Sequence, residues 1–464
     1  MFKKIEIWIL YLAILLGILF GLSFGVLVRQ EIEGLTRIGS FDISFLSKPA
    51  AFLARLPERF AYTVLKGNPL LINDFWDEDR DFYAQDGFKG TFNQSESYLL
   101  LSRYDGDLKE GLVELIDLTN FQILHTWNPD IDKFNDLVEP AGEFKYLKRD
   151  SNNRRLRFLH PLLTNDGGLL IQNNTPLRKI DACSNLIFQN STDLFHHSIE
   201  TDFYGNIWVP SSLFPQSLSK ERIGNAVMQD GGFVDDAIVQ LSPDGKILYE
   251  KSVSQIFIEN GLEYLLFSVG DMSHDIDPVH LNDIQPVKYD SKYWKKGDVF
   301  LSLRHQSMVL LYRPSTGKII WKDAGRFFHQ HDINILDDHR ISIFNNNSKH
   351  FVNGDIVDGH NEVLIYDFKN NNYLSYLQKS FIEHDIRTVT EGRGQVLPND
   401  DLFIEESNFA RTLYFNSDGT LRWSHVNRAK DGNVYRVGWS RIIYNDDDIQ
   451  SVKNFLISKD TCNE

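Results

Sequence analysis

Four histidines occupy similar positions in the sequence, each just before an apolar, alternating segment. They are His160, His197, His280 and His331, and Arg393 takes the corresponding place in "TEGRGQVLPNDD". Imidazole rings that converge in a concave site can transfer protons, bind a metal ion or, together with guanidinium groups, bind an anion. The arginines in or near these segments are Arg304, Arg393, Arg436 and Arg441.

The stretch "RFFHQHDINILDDHR" holds the densest group of such residues. Alternation along a strand predicts that His331 faces the inside of the molecule and that His329 shares its face nearer the lip. Asp332 then points to the other face, where we expect it to tie strands together. His339 falls in a predicted turn, exposed to solvent.

Three interpretations of the histidines remain open from the residues alone. The rings can hydrogen-bond neighbouring strands, bind Zn, Mn or Fe, or surround an oxyanion together with arginines. No carboxylate or cysteine accompanies the inner segments, so we predict no metal and no cofactor. Cys183 and Cys462, the only two cysteines, are too few for a disulfide framework or a Cys-rich zinc site.

The elements that must position these side chains are strands, because period-2 patterns dominate from about residue 91. Six units repeat an apolar strand, a polar loop and a hairpin with a turn such as Pro-Asp-Gly or Ser-Thr-Gly. Such repetition predicts an all-β, six-bladed β-propeller. The histidines would lie on innermost strands, and "NVYRVGWSRIIYN" near the C-terminus would close the ring beside the first blade.

The N-terminus predicts a membrane anchor. Residues 7–28 carry no charge and would span about 33 Å as a helix. Lys3 and Lys4 precede them, which favours a cytoplasmic N-terminus. We therefore predict a single-pass anchor in a bacterial inner membrane (residues 1–29), a juxtamembrane stalk (30–90) with helical spacing interrupted at Pro57, and a periplasmic propeller (91–464).

The composition excludes one class of partner. The formal net charge is −16, so no basic surface is available to displace counterions from nucleic acid. The high aromatic content of 13% suits a β-rich protein instead.

Several motifs in order resemble the arylsulfotransferase propeller family, over roughly residues 160–445. They are a His-x-Asn strand in "HLNDI", Ser-x-Arg-x-Gln in "SLRHQ", the hairpin "TGKIIW", and a Gln-His strand in "QHDINI" followed by "FNNN". "GQVLPNDDLFI" and "VYRVGWSRI" also look like the later blades of that family.

This resemblance implies transfer of a sulfuryl group from an aryl sulfate ester to a phenolic or other hydroxyl acceptor, without a nucleotide donor. Bacterial members of the family transiently sulfate a histidine, which gives a ping-pong reaction. The residues predicted for catalysis are His331, His280 and His197. Those predicted for substrate binding are Arg304, Asn282, Gln306, Arg393, Arg436 and His160.

The sequence departs from the family pattern at two places. Lys349 follows the Asn run where an Arg is frequent, and Arg393 occupies the slot of the nucleophilic histidine. His384 and His425 do not fill that role by position. Direct transfer, use of another histidine, or loss of activity all remain open. The alternatives are a non-catalytic propeller that binds an anion or a partner protein, and a metal-dependent propeller enzyme.

Overall fold

The computed structural model describes residues 6–32, 37–38, 41–65, 71–72, 84–219, 222, 233–267, 277–351 and 354–458. The chain divides into two compact units, residues 1–69 with 268–275 and residues 70–267 with 276–464. Cys183 is disulfide-bonded, whereas Cys462 lies outside the described residues.

The first unit contains two long helices, α1 (Ile7–Ile32) and α2 (Ser44–Leu65), and a short pair of strands, β1 (Arg37–Ile38) and β2 (Phe41–Asp42). By length and composition α1 qualifies as a single-pass anchor or as a signal sequence. Helix α2 continues through Pro57, so the predicted interruption there is wrong. A proline removes only its own backbone donor, and the remaining hydrogen bonds maintain this helix.

The second unit is built almost entirely of strands. The strands of its N-terminal half are β3 Leu71–Ile72, β4 Gly87–Gly90, β5 Tyr98–Asp105, β6 Glu110–Asp117, β7 Gln122–Trp127, β8 Leu162–Leu163, β9 Leu169–Ile171, β10 Thr175–Ile180, β11 Leu186–Phe195, β12 Glu200–Thr201, β13 Ile207–Ser212, β14 Asp236–Leu241 and β15 Ile247–Ser252.

The C-terminal half continues the pattern. Its strands are β16 Leu281–Pro286, β17 Val299–Leu303, β18 Met308–Arg313, β19 Lys318–Ala324, β20 His331–Ile335, β21 Arg340–Asn345, β22 Ser348–Phe351, β23 Gly354–Val357, β24 Glu362–Asp367, β25 Asn372–Tyr376, β26 Arg393–Val396, β27 Leu402–Glu406, β28 Arg411–Phe415, β29 Leu421–Val426, β30 Val434–Tyr435 and β31 Arg441–Ile443. Helical segments between strands are α3 Ile131–Asn135, α4 Leu147–Asp150, α5 Val253–Glu259, α6 Tyr264–Phe267, α7 Gln378–Glu383, α8 Asp446–Ser458 and the 3₁₀ turns Gly142–Tyr146 and Ser407–Phe409.

The strands form a propeller-like, all-β arrangement. Four sheets have the order of a propeller blade, namely β16-β17-β18-β19, β20-β21-β24-β25, β26-β27-β28-β29 with β4 at its outer edge, and β31-β5-β6-β7. A further sheet has eight strands, in the order β15-β14-β13-β11-β10-β9-β8, with β12 paired to β13. As predicted from its sequence, the C-terminal strand β31 returns to pair with β5.

Innermost strands of neighbouring sheets pack against one another, β16 against β20 and β20 against β26. Strand β17 is buried throughout, whereas the outer strand β19 alternates between exposed and half-buried positions. Innermost strands of neighbouring sheets are also joined by side chains. Asp283 Oδ2 accepts from the Ile333 amide at 2.6 Å, and Asp332 Oδ2 accepts from the Gly394 amide at 2.9 Å. Polar groups beside these strands are therefore held in fixed positions.

Candidate functional site

His197, His280 and His331 form a cluster of imidazole rings, called the imidazole cluster below. The ring centroid of His197 lies 5.1 Å from that of His280 and 6.4 Å from that of His331. Each residue lies at or just before the start of an innermost strand of a different sequence unit. The structure therefore brings the three predicted catalytic histidines together.

A repeated backbone conformation helps to aim these side chains. His160, His197 and His280 have positive φ angles of 48°, 59° and 51°, and Glu391 and Trp439 share this conformation at 57° and 55°. All five stand one to three residues before an innermost strand. The left-handed region is unfavourable for residues with a Cβ atom and is often found at functional sites.

His331 is the most enclosed member of the cluster, at 1% exposure. Its Nδ1 lies 2.6 Å from Asn346 Oδ1, and its Nε2 accepts from the Glu391 amide at 3.3 Å. Burial, reinforced by the charge of Arg304, lowers the pKa of His331 well below its ordinary value. The ring is therefore neutral near pH 7, with both nitrogens hydrogen-bonded within the fold.

His197 is paired with its sequence neighbour. The Nδ1 atoms of His196 and His197 lie 2.7 Å apart, so one ring donates and the other accepts. His196 Nε2 lies 3.4 Å from Asp236 Oδ1. Burial and the neighbouring imidazoles lower the pKa of His197 well below its ordinary value. This ring is also neutral near pH 7.

His280 differs from the other two because its ring is paired directly with a carboxylate. Its Nδ1 lies 2.5 Å from Asp277 Oδ2, and its backbone amide donates to Asp277 Oδ1 at 3.1 Å. Burial favours a higher pKa for Asp277, but the hydrogen bond and charges of His280 and His305 hold the pKa below its ordinary value. His280 Nε2 has no hydrogen-bond partner among the described residues.

His305 completes this part of the site. Its ring centroid lies 4.4 Å from that of His280, its Nδ1 lies 2.6 Å from the Asp277 carbonyl oxygen, and its Nε2 accepts from Arg304 Nη1 at 2.6 Å. One ligand atom each from Asp277, His280 and His305 lie within 4.8 Å of one another. Two imidazoles and a carboxylate are a donor set that divalent transition metals accept.

Arg304 supplies the positive charge of the imidazole cluster. The residue is only 8% exposed, and its Nη2 donates to Asp355 Oδ2 at 3.0 Å. Its buried Nε has no hydrogen-bond partner among the residues that the structure describes. Burial and the Arg304 charge lower the pKa of His329 to about 4. A buried guanidinium beside neutral imidazoles can bind an anion.

His160 and Arg393 lie in a different environment, which we call the buried ionic network. His160 Nδ1 accepts from the Ile199 amide at 3.2 Å, and its Nε2 lies 2.8 Å from Arg393 Nη1. Arg393 Nη2 lies 3.2 Å from Asp332 Oδ1. Burial and the charges of nearby arginines lower the pKa of His160 well below its ordinary value. The remaining members of the network are Glu200 and Arg441, and Arg441 Nη1 lies 2.9 Å from Glu200 Oε1.

The other predicted binding residues are largely engaged in the fold. Asn282 Nδ2 donates to the Gln330 carbonyl at 2.8 Å, and Gln306 Nε2 donates to the Leu265 and Pro278 carbonyls at 3.0 and 2.5 Å. Arg436 is half-buried, and its charge helps to hold the pKa of Glu391 below the ordinary value against the effect of burial. The prediction that these three contact substrate stays a prediction.

The sequence reasoning missed four residues at the site, namely Asp277, His305, Asp355 and Trp439. The Trp439 ring lies 5.7 Å from His331 and 6.0 Å from His197 between centroids. Its buried Nε1 has no hydrogen-bond partner within the described ranges. His305 was detectable as the neighbour of Arg304, and Asp277 as a carboxylate three residues before His280.

A cavity of about 780 Å³ lies at the opposite ends of the innermost strands. Its wall includes Gln285, Asn334 and Gln395, and its rim includes Tyr289. Arg393 and Arg441 also line it. The imidazole cluster lies at the strand starts, whereas Glu200, Arg393 and Arg441 of the buried ionic network line the cavity.

Comparison with known proteins assigns the family. Residues 160–428, more than half of the chain, match the family model described as Arylsulfotransferase (ASST). The chain belongs to the arylsulfotransferase family. The family match covers the predicted site residues except Arg436, together with Asp277, His305 and Asp355. No curated protein matches the chain.

Two solved structures show a low level of similarity to this arylsulfotransferase-family protein. A protein of unknown function from Bacteroides caccae is 11% identical, with 76% of this chain and 100% of that chain covered and a TM-score of 0.44. TolB from Acinetobacter baumannii is 10% identical, with coverages of 87% and 74% and a TM-score of 0.40. At these TM-scores the similarities carry no argument about function.

Proposed function

We propose that this protein is a membrane-anchored sulfotransferase. It moves a sulfuryl group from an aryl sulfate ester to a phenolic or other hydroxyl acceptor at the imidazole cluster. The observation that carries the proposal is Arg304, a buried guanidinium whose Nη1 donates to His305 Nε2 at 2.6 Å, with the His305 and His280 ring centroids 4.4 Å apart. The family assignment supports the same class of reaction.

In this proposal the sulfuryl oxygens bind beside Arg304 and the neutral imidazoles. Charge spreads over these oxygens in the transition state, as it does in phosphoryl transfer. Guanidinium and imidazole N–H groups fixed by the fold stabilise that charge without reorganising. Trp439 Nε1 is a further buried donor next to His197 and His331.

His280 is the proposed nucleophile. With its Nδ1–H donated to Asp277, Nε2 carries the lone pair that attacks sulfur. The N–S bond forms as the bond from sulfur to the donor oxygen breaks, and the phenolate leaves. The acceptor oxygen then attacks sulfur, the N–S bond breaks, and the acceptor proton passes to solvent or to His280 Nε2. Asp277 stabilises the positive charge that the ring acquires, as a carboxylate does in other catalytic pairs.

His331 then acts as a positioning residue. Its ring nitrogens are bonded to Asn346 and to the Glu391 amide, so the His331 ring is held in place beside His197. His160 and Arg393 hold the innermost strands together below the cluster. Arg436 remains a candidate for binding the aryl group, together with Asn282 and Gln306.

We also propose the larger organisation. The eight-stranded sheet counts as two blades, β8–β11 and β12–β15, because only Leu194–Phe195 of β11 pairs with β13. Together with the other four sheets this gives six blades. Residues 1–29 form the anchor in the bacterial inner membrane, 30–90 the stalk and 91–464 the periplasmic propeller. The end of the stalk contributes β4 to a propeller sheet.

The test is turnover by the full-length protein in detergent, with 4-nitrophenyl sulfate as donor and phenol as acceptor. We expect phenol-dependent release of 4-nitrophenolate, with phenyl sulfate as product. His280→Ala and Arg304→Ala should abolish it, while the surface variants His339→Ala and Arg340→Ala should not. Failure with a broad panel of aryl sulfates would contradict the proposal. Binding of the esters without release of phenol would favour a non-catalytic propeller.

A metal-dependent enzyme is a second candidate, because Asp277, His280 and His305 bring three ligand atoms within 4.8 Å. In the structure, however, hydrogen bonds to Asp277 already account for the Nδ1 atoms of His280 and His305. Elemental analysis of the purified full-length protein decides the matter. One equivalent of Zn, Mn or Fe that is lost in His305→Ala would favour the metal enzyme.

A further inference from the structure

The hairpin β22–β23 brings a carboxylate to the imidazole cluster. Asp355 Oδ2 accepts from Arg304 Nη2 at 3.0 Å, and Asp355 Oδ1 lies 2.7 Å from His350 Nδ1. The two strands pair with each other and form a sheet of their own. The hairpin therefore carries Asp355 outside the strand ladder of the blade from which it arises, to which the Ser348 amide connects it by donating to the Phe328 carbonyl oxygen at 3.3 Å.

Arg304 is paired with an ionised carboxylate in a region of mostly neutral imidazoles. Burial favours a higher pKa for Asp355, but the hydrogen bond from His350 and the charge of Arg304 hold it below the ordinary value, so the carboxylate is ionised. Burial lowers the pKa values of His197, His305 and His331, which leaves these rings neutral. Asp355 is thus the carboxylate in direct contact with the guanidinium, whereas Asp277 is paired with His280.

We propose that Asp355 is an internal counter-ion that occupies the place of a sulfuryl oxygen on Arg304 and selects singly charged sulfate esters against doubly charged phosphate esters. An incoming ester displaces the carboxylate from Nη2, and the carboxylate then remains beside the bound group on its hairpin. The proposal rests on the proposed sulfotransferase function of the same site.

The selection follows from Coulomb's law. A sulfate monoester carries one negative charge and a phosphate monoester two near pH 8. The repulsion from a carboxylate at a fixed distance is therefore twice as large for the phosphate ester. At a partly buried site, one unit charge a few ångströms away changes an interaction by an amount that alters binding about tenfold or more. Asp355 thus penalises the dianion selectively.

A purely structural role for Asp355 predicts the opposite result. If the carboxylate serves to orient Arg304, its removal loosens the guanidinium and weakens the binding of every anion. The substitution Asp355→Asn has nearly the same shape and removes only the charge. The hairpin also offers a matched control, Asp358, which is exposed and pairs with Lys349 at 2.6 Å.

The experiment is calorimetric titration of full-length protein carrying His280→Ala, which cannot form the covalent intermediate, in detergent at pH 8 with 4-nitrophenyl phosphate and 4-nitrophenyl sulfate, without acceptor. With Asp355→Asn added, we expect the phosphate ester to bind about a hundredfold tighter and the sulfate ester about tenfold tighter. Asp358→Asn should resemble the parent protein. Thermal unfolding of both variants establishes that they are folded.

Equal or weaker binding of the phosphate ester in Asp355→Asn would overturn the proposal, as would equal tightening for the two esters or the absence of binding in all proteins. The relative affinities do not depend on turnover. If the parent protein transfers no sulfuryl group but Asp355→Asn shows the expected change, the proposed function fails and the counter-ion role of Asp355 stands.

Discussion

His280 Nδ1 lies 2.5 Å from Asp277 Oδ2, and the two residues are only three positions apart in the sequence. This pair is the one place in the imidazole cluster where a ring nitrogen is bound to a carboxylate while the other nitrogen has no partner among the described residues. It therefore combines the orientation and the charge that a nucleophilic or basic histidine needs.

Asp277→Asn should reduce sulfuryl transfer strongly. An amide keeps the size of the side chain but cannot compensate the positive charge that His280 acquires, and it can hold the wrong tautomer. We expect a decrease of about 10²- to 10³-fold in the turnover of 4-nitrophenyl sulfate. Asp338→Asn is the control, because Asp338 makes a similar 2.6 Å contact with His339 at the surface. Equal effects of the two substitutions would contradict the assignment.

Substitutions at His280 and His331 should have different effects on turnover and on the free energy of unfolding. His331→Ala leaves Asn346 and the Glu391 amide without a buried partner, so we expect the free energy of unfolding to fall by about 2–4 kcal/mol. His280→Ala removes a partly exposed ring and should cost about 1 kcal/mol or less, while abolishing transfer. Urea unfolding together with turnover measures both. If His331→Ala were as stable as the parent protein but inactive, His331 would be a catalytic residue, as the sequence predicted, and not a positioning residue.

Arg393 should be essential to stability. It is 2% exposed, and its removal leaves the buried carboxylate of Asp332 without a cation. Arg393→Met should lower the free energy of unfolding by about 3–5 kcal/mol. The control Arg340→Met breaks an exposed pair with Asp337 and should cost less than about 1 kcal/mol. Similar urea midpoints for the two variants would rule out the buried ionic network as a structural element.

Asp283 should make stability depend on pH. Burial and the charge of Asp332 raise the pKa of Asp283 to about 8. An unfolded aspartate ionises near pH 4, so the folded state binds the extra proton between about pH 4 and 8. Its contribution to stability is complete below pH 4 and is lost as the pH rises towards 8, by up to about 1.4 kcal/mol per pH unit.

Asp283→Asn should therefore flatten the decline in the free energy of unfolding between pH 5 and 8, measured with urea. Some decline should remain, because burial also raises the pKa of Glu143 to about 8 and that of Asp193 to about 7. The same slope in the parent and in the variant would show that Asp283 is ionised in the folded protein.

Much of the fold follows from local pattern. The segment that forms β17 is short and almost continuously apolar, which is typical of a buried strand, and its complete burial requires packing on both faces. The convergence of His197, His280 and His331 followed from one further assumption, that equivalent positions of repeated units meet near an axis. The prediction also included His160, which lies instead against Arg393 in the buried ionic network, while the other three lie together.

The environment of each histidine was not predictable in the same way. Both ring nitrogens of His331 are hydrogen-bonded, to Asn346 and to the Glu391 amide, which are 15 and 60 residues away. Asp355 reaches Arg304 from 51 residues away on an inserted hairpin. Such contacts depend on how units pack against each other and leave no periodic signal. Asp277 lies close to His280 in sequence, but in a loop, where no periodicity indicates direction.

The most direct test of the central claim is a single turnover without acceptor. Full-length protein mixed with excess 4-nitrophenyl sulfate should release a burst of 4-nitrophenolate equal to the protein concentration, followed by a mass increase of one SO₃ group on the peptide that contains His280. Phenol should discharge the label as phenyl sulfate. The absence of both burst and label, or a label on a different histidine, would contradict the account.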